Sequence, residues 1–280
     1  MPMQDFERRV ERRLAIRSRL DKIDKKLLIL SGKGGVGKTT VAVHISEALA
    51  DLGNHVGILD IDLHGPNVAK MTGVQDMHFE GDAKEIQPIE VRPNLLIAGI
   101  GSAMKQPEDA IIWRGPMKNM AIESLLASVN WGDLDYLVID TPPGTGDEQL
   151  TIVKSIPELT GAIIVTTAQA VALLDARRSV LFCRKMGIAV LGIVENMSSL
   201  ECPHCHAEIT VFGSRGAQEL ARELGIGFLG RIPFEESIRS DKHSDNGIGN
   251  SPALRAFHTI AQDLARQVTT TTIEGNSSEQ

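Results

Sequence analysis

Residues Ser31–Thr40 constrain the fold more than any other part of the chain. They read Ser-Gly-Lys-Gly-Gly-Val-Gly-Lys-Thr-Thr, between an apolar run ending at Ser31 and a helical pattern over Val41–Leu52. Gly32, Gly37, Lys38 and Thr39 fill the four defining places of G-x-x-x-x-G-K-[ST]. Strand, glycine loop and helix in that order make a phosphate cradle. Glycines let backbone N–H groups turn inward around phosphate oxygens, and the helix N-terminus adds a favourable dipole. A nucleotide is expected along Gly32, Lys33, Gly34, Gly35, Val36, Gly37, Lys38, Thr39 and Thr40. Lys38 is expected to reach the β- and γ-phosphates, and the Thr39 hydroxyl to ligate Mg²⁺.

The rest of the pattern agrees with such a loop. Apolar runs at Leu27–Ser31, Val56–Ile61, Leu95–Gly99, Tyr136–Asp140, Ala162–Thr166, Val190–Glu195 and Phe228–Ile232 read as strands. Helical patterns at Val41–Leu52, Lys118–Val129, Val171–Met186 and Ala217–Leu224 separate them. The expected fold is α/β: a three-layer P-loop NTPase with a mostly parallel central sheet and helices on both faces. Residues 26–268 form this domain, preceded by a charged helix over 1–25 and followed by a disordered, threonine-rich tail over 269–280. In the first segment, Phe6, Val10 and Leu14, and then Ile16 and Leu20, recur at i, i+4 among six arginines from Arg8 to Arg19. Such a helix either packs along the domain or meets an anionic membrane or a partner.

A magnesium site needs oxygen ligands near the phosphates, and a parallel sheet brings strand C-termini beside the first loop. Asp60 and Asp62 end the second strand, and Asp140 ends the apolar run Tyr136–Asp140. Asp140 is expected to hold Mg²⁺ through water, with Asp60 beside it, and Asp62 to orient the attacking water. Each aspartate has a plainer reading as the cap of a strand-to-loop turn. Thr141-Pro142-Pro143-Gly144-Thr145-Gly146-Asp147 is expected to sense the γ-phosphate.

The chain has 29 basic and 36 acidic side chains for a formal charge of -7, which argues against a nucleic-acid partner. Neither a signal-peptide pattern nor an apolar run of bilayer length is present, so a cytoplasmic location without stable membrane insertion is expected. Three cysteines in a reducing compartment suggest metal or cluster chemistry before disulfides. Cys183 sits in an amphipathic helix and reads as core filler. Cys202 and Cys205 form a C-x-x-C, half of a four-sulfur site. A two-fold homodimer would supply the other half. The alternatives are a bridging Zn²⁺, a zinc site helped by His204 or His206, and a redox dithiol.

Lys33 gives the loop the Lys-Gly-Gly-Val-Gly-Lys-Thr form, which resembles the deviant Walker A of the MinD/ParA/nitrogenase-iron-protein class. That resemblance implies that Lys33 reaches a partner's nucleotide in an ATP-dependent homodimer. With Asp60-Ile61-Asp62, Trp113-Arg114-Gly115-Pro116, Asp140–Asp147, Val194-Glu195-Asn196-Met197-Ser198 and Cys202–Cys205, the chain resembles the Mrp/ApbC family of iron–sulfur cluster carrier ATPases from about Leu27 to about Gln267. The family implies slow ATP hydrolysis, a homodimer, and a labile [4Fe–4S] cluster taken from donors and delivered to recipient apoproteins. It also implies that Asn196 contacts the adenine base and that the Ile232-Pro233-Phe234 turn lies nearby. Asn196 alone would also suit a strand-end turn. His64 and Asn67 depart from the family's usual aromatic and serine. Two other functions compete: a MinD/ParA-type positioning ATPase whose cysteines hold zinc or act in redox, and a small-molecule kinase or ligase. The first predicts a C-terminal amphipathic membrane helix, where the tail here is polar, or a basic surface, and neither membrane nor DNA positioning explains Cys202 and Cys205.

Overall fold

The apolar runs pair into one mostly parallel sheet in a computed structural model of the chain, which describes residues 3–62, 67–77, 85–100, 115–202, 204–213, 215–235, 238 and 251–277. The strands are β1 (Ile23–Leu30), β2 (Val56–Asp60), β3 (Ile89–Arg92), β4 (Leu95–Gly99), β5 (Leu134–Asp140), β6 (Gly161–Thr166), β7 (Val190–Glu201), β8 (Glu208–Thr210) and β9 (Phe228–Phe234). Their order is β3-β4-β2-β5-β1-β6-β7-β8, with β9 also pairing β7. Only β3 with β4 and β7 with β8 are antiparallel among the described pairs. The central strands are apolar on both sides because both faces are covered, and every residue of β6 is buried.

The helices are α1 (Met3–Leu20), α2 (Lys38–Asp51), α3 (Val68–Met71), α4 (Gly115–Ser128), α5 (Asp147–Ser155), α6 (Ala170–Lys185), α7 (Gly216–Leu224) and α8 (Pro252–Ser277). One core lies under α2 and α8, where Val41, Ile45, Phe257 and Leu264 are buried. The other lies under α1, α4, α6 and α7, where Leu20, Ile122, Val180 and Leu220 are buried. These are the two covered faces of the expected three-layer fold.

Several boundaries differ from the sequence reading. β1 begins at Ile23, inside the segment assigned to the N-terminal helix. The Ile232-Pro233-Phe234 segment is the end of β9 rather than a turn. The threonine-rich end is helical as far as Ser277, where a disordered tail was expected. The physical reason is cooperative: α8 is nucleated by its buried half, and each further residue adds to a helix already formed.

The register sets up the functional end of the sheet. Asp60 pairs with Asp140 across β2 and β5, and Ile29 of β1 pairs with Asp140 on the other side. Three strand ends therefore open onto the loop that follows β1.

Candidate functional site

The loop leaves β1 after Leu30 and closes into α2 at Lys38. Gly37 has φ +80, and a Cβ there would lie 2.1 Å from Nδ2 of Asn196. The left-handed backbone and the lack of room both require glycine. Gly32 has no room either, since its Cβ would fall 2.3 Å from the Asp175 backbone on α6. The loop encloses a cavity of about 500 Å³ whose lining includes Lys33, Gly35, Lys38, Thr39, Asp62 and Lys70.

Beneath the loop, Lys38 Nζ donates to Asp140 Oδ1, and Thr39 Oγ1 donates to Oδ2 of the same carboxylate at 2.6 Å. Asp140 has no exposed surface. Asp60 beside it accepts from the Asp62 N–H at 3.0 Å and the Val68 N–H at 3.1 Å. Burial is the main cause that pushes Asp60 up to about 8; the Asp140 charge adds to it, and the two N–H groups and Lys38 oppose it. Burial likewise raises Asp140, against the pull of Lys38 and Thr39. Two buried carboxylates thus share one lysine, which leaves the site short of positive charge. With the Thr39 hydroxyl they form a hard oxygen set, and this fits Mg²⁺.

Asp62 follows β2 and lines the cavity, near enough to the buried pair that its charge also raises Asp140. Lys33 Nζ donates to Oε1 of Gln169 at 3.2 Å, just before α6. The segment after Asp140 is stitched to the loop: the Gly144 N–H donates to the Ser31 carbonyl at 2.8 Å, and the Thr141 hydroxyl to the Ile29 carbonyl at 2.8 Å. Gln149 closes it from α5, accepting from the Gly146 N–H at 2.9 Å and donating to the Pro142 carbonyl at 2.7 Å.

The sequence reading overlooked Gln149, Gln169 and Lys70. A Gln three residues after Gly146, at the start of a helix, was a readable capping signal. Gln169 and Lys70 reach the site only through the fold. Of the expected motifs, residues 63–66, which include His64, and the pair Trp113 and Arg114 lie outside the described residues.

Asn196 is nearly buried and donates from Nδ2 to the Val36 carbonyl at 2.9 Å. Asn196 pairs with Ile232 across β7 and β9, so Pro233 is one residue along the neighbouring strand. The two residues expected at the adenine end are therefore brought together, behind the loop.

The cysteine pair sits at the tip of a hairpin. Ser199, Leu200 and Glu201 of β7 pair with Thr210, Ile209 and Glu208 of β8. The Cys202 N–H donates to the Ala207 carbonyl and the His206 N–H to the Cys202 carbonyl, both at 2.9 Å. His206 turns the chain with φ +58, and its Nδ1 is 2.5 Å from Glu201 Oε1. Cys205 is exposed and Cys202 partly so. The N–H groups of His204 and Cys205 point at the Cys202 sulfur and hold its pKa below the ordinary thiol value, helped by the Cys205 thiol. Cys183 is the opposite case: buried in the core, its thiol is pushed up to about 12. Among the described residues, no group of three or more His, Cys, Asp or Glu side chains is arranged to hold a metal ion.

Comparisons with known proteins bear on the fold and the family. The family model described as ParA, the NUBPL iron-transfer P-loop NTPase, matches residues 22–269. The chain is 47% identical to an iron–sulfur cluster carrier protein of Methanocaldococcus jannaschii, over 90% of this chain and 88% of that one. It is 44% identical to a cytosolic Fe-S cluster assembly factor NUBP2 homolog of Nematostella vectensis, over 85% of this chain and 92% of that one. Among solved structures, a nucleotide-binding protein of Archaeoglobus fulgidus in complex with ADP superposes with a TM-score of 0.68 at 31% identity, covering 90% of this chain and 92% of that one. The cell division ATPase MinD of Pyrococcus furiosus, at 22% identity, shares the fold with a TM-score of 0.62, over 87% of this chain and 99% of that one. By the extent of the family match and by its relatives, this chain belongs to the NUBPL-type iron-transfer P-loop NTPases of the ParA family.

Proposed function

We propose that the chain is an ATP-dependent iron–sulfur carrier. Two copies hold one labile [4Fe–4S] cluster between them, accept it from donors and pass it to recipient apoproteins. The observation that carries this reading is the pair Cys202 and Cys205, presented at a hairpin tip with the Cys202 sulfur facing two backbone N–H groups. That environment favours thiolate, the form that binds iron. One chain offers half of a four-sulfur set, and the names of its relatives point to the same cargo.

ATP in this reading occupies the loop Gly32–Thr40, with Asn196 and Pro233 toward the base. Thr39, Asp60 and Asp140 would hold Mg²⁺, which when bound offsets charge on the β- and γ-phosphates. Lys38 exchanges Asp140 for the phosphates and neutralises charge as the γ-phosphoryl bond to ADP breaks. Asp62 orients water for in-line attack on phosphorus. Lys33 leaves Gln169 and reaches the nucleotide of the second copy. A cytoplasmic location, where thiols stay reduced, suits this chemistry. No helix among the described residues is long and apolar enough to cross a membrane.

Anaerobic reconstitution with iron and sulfide tests the proposal. Wild type is expected to bind about four irons per dimer, with the absorption of a cubane cluster. Cys202→Ser and Cys205→Ser lose the iron and keep nucleotide binding, whereas Cys183→Ser changes neither. Protein that takes about one zinc per dimer, excludes iron and activates no apo-enzyme overturns the carrier reading.

A further inference from the structure

β7 is one strand with two different attachments. As far as Glu195 it is clamped between β6 and β9, where Thr166 pairs with Glu195 and Glu195 with Arg231. After that the β6 partner stops. On the β9 side the register slips: four steps from Asn196 to Leu200 face two steps from Ile232 to Phe234. At the slip, Met197 adopts φ +54, a left-handed backbone that a methionine rarely takes. Ser198 fills the gap, its hydroxyl donating to the Ile232 carbonyl at 3.1 Å. Beyond the slip, the strand serves only as one arm of the cysteine hairpin and touches β9 at Leu200. A β-bulge with a left-handed residue is a bend at which a strand can pivot.

The same bend touches the nucleotide loop. The Val36 carbonyl is held by Asn196, and the Met197 Cε lies 3.6 Å from where a Gly37 Cβ would stand. Val36 C=O and Gly37 N–H belong to one planar peptide, so they point in opposite directions. Gly37 borders the cavity, and the cradle chemistry turns its N–H toward phosphate. A phosphate that draws on this N–H tilts the peptide and moves the carbonyl held by Asn196.

We infer that the Val36–Gly37 peptide, the Asn196 side chain and the Met197 bend form a lever that reports phosphate occupancy of the loop to the thiols of Cys202 and Cys205. Asn196 acts here as a positioning residue. Its side chain transmits a displacement of the loop to the strand that ends in the hairpin, about 20 Å farther along six residues. Nucleotide thereby regulates how readily the two thiols are presented. The inference borrows only its biological purpose from the proposed carrier function, because the lever concerns nucleotide and thiols and requires no cluster.

The test uses the full-length apo protein and the alkylation rates of Cys202 and Cys205 with iodoacetamide, read by peptide mass. Rates are compared without nucleotide and at saturating Mg²⁺ with a slowly hydrolysed ATP analogue. Sedimentation of the same samples fixes the oligomeric state. Wild type is expected to change its Cys202 rate about fivefold or more on nucleotide binding, at protein concentrations dilute enough that sedimentation finds it monomeric. Met197→Gly, in which glycine takes the left-handed backbone freely and removes the side chain against the loop, keeps hydrolysis and loses the change. Asn196→Ala, compared at saturation so that altered affinity has no influence, also loses it. Full nucleotide dependence in both variants overturns the lever, as does wild type without any dependence. A change that occurs only when the sample has dimerised overturns it too, by assigning the effect to shielding by the second copy. None of these results bears on whether iron binds, so the carrier reading stands or falls separately.

Discussion

Lys38 is buried with Asp140 as its partner, while Asp62 faces the cavity; the two should fail differently when replaced. Lys38→Ala removes the charge proposed to offset the phosphates and leaves two buried carboxylates without a cation. Hydrolysis is expected to fall by at least ~100-fold in a steady-state phosphate-release assay. Asp62→Asn keeps the size of the side chain and the backbone N–H bonded to Asp60. It should bind ATP within a few-fold of wild type while turnover drops by about 100-fold. Wild-type turnover in purified Asp62→Asn would remove Asp62 from the reaction. The sequence marked these residues because phosphate chemistry ties each residue type to a fixed spacing. It gave no access to Gln169 or Lys70, whose places follow from distant segments meeting, nor to the carbonyl held by Asn196.

At the scale of elements, the N-terminal helix is part of the domain. Two i, i+4 runs were visible in the sequence, and the structure buries the second: Ile16 and Leu20 enter the core beside α4, while Val10 and Leu14 of the first stay 40% and 63% exposed. Arg12 and Glu123 pair at 3.1 Å across the same contact, at a partly exposed position. Leu20→Ala should therefore cost about 3 kcal/mol in urea unfolding. Arg12→Ala should cost less than about 1 kcal/mol, since solvent screens the pair. Equal losses would mean that the ion pair, and not the buried leucine, anchors the helix. The central strands were legible because burial on both faces makes them continuous apolar runs. β3 and β8 were not: they are antiparallel edge strands of four and three residues, too short and too polar to stand out. With β8 overlooked, the run Val190–Glu195 was read as ending there, whereas β7 continues to Glu201 and turns at the cysteines into β8. α8 lost its end for a related reason. Threonine has modest helix propensity, and composition does not reveal that the buried half of a helix supports the turns that follow it.

At the scale of the whole molecule, half of the proposed chemistry lies outside one chain. The cysteine set is half complete, and Lys33 rests on its own chain's Gln169. Mg·ATP should convert the protein to a two-fold dimer in sedimentation velocity, and ADP should do so less. Lys33→Ala should weaken that dimer by about 10-fold or more, on the scale of a lost charge-assisted contact. A strict monomer in every nucleotide state and at every working concentration would refute the assembly, and with it the shared cluster.

The Lys38–Asp140 contact also bears on how such a molecule survives between rounds of work. A lysine held for phosphates is stranded when the nucleotide leaves, and a stranded buried charge invites local collapse of its surroundings. Asp140 supplies that counter-charge from within the chain. The lysine is therefore held in place by the fold itself, and its position is not left to a ligand. The same contact sets a competition, because any anion in the loop has to share the lysine with a carboxylate already seated.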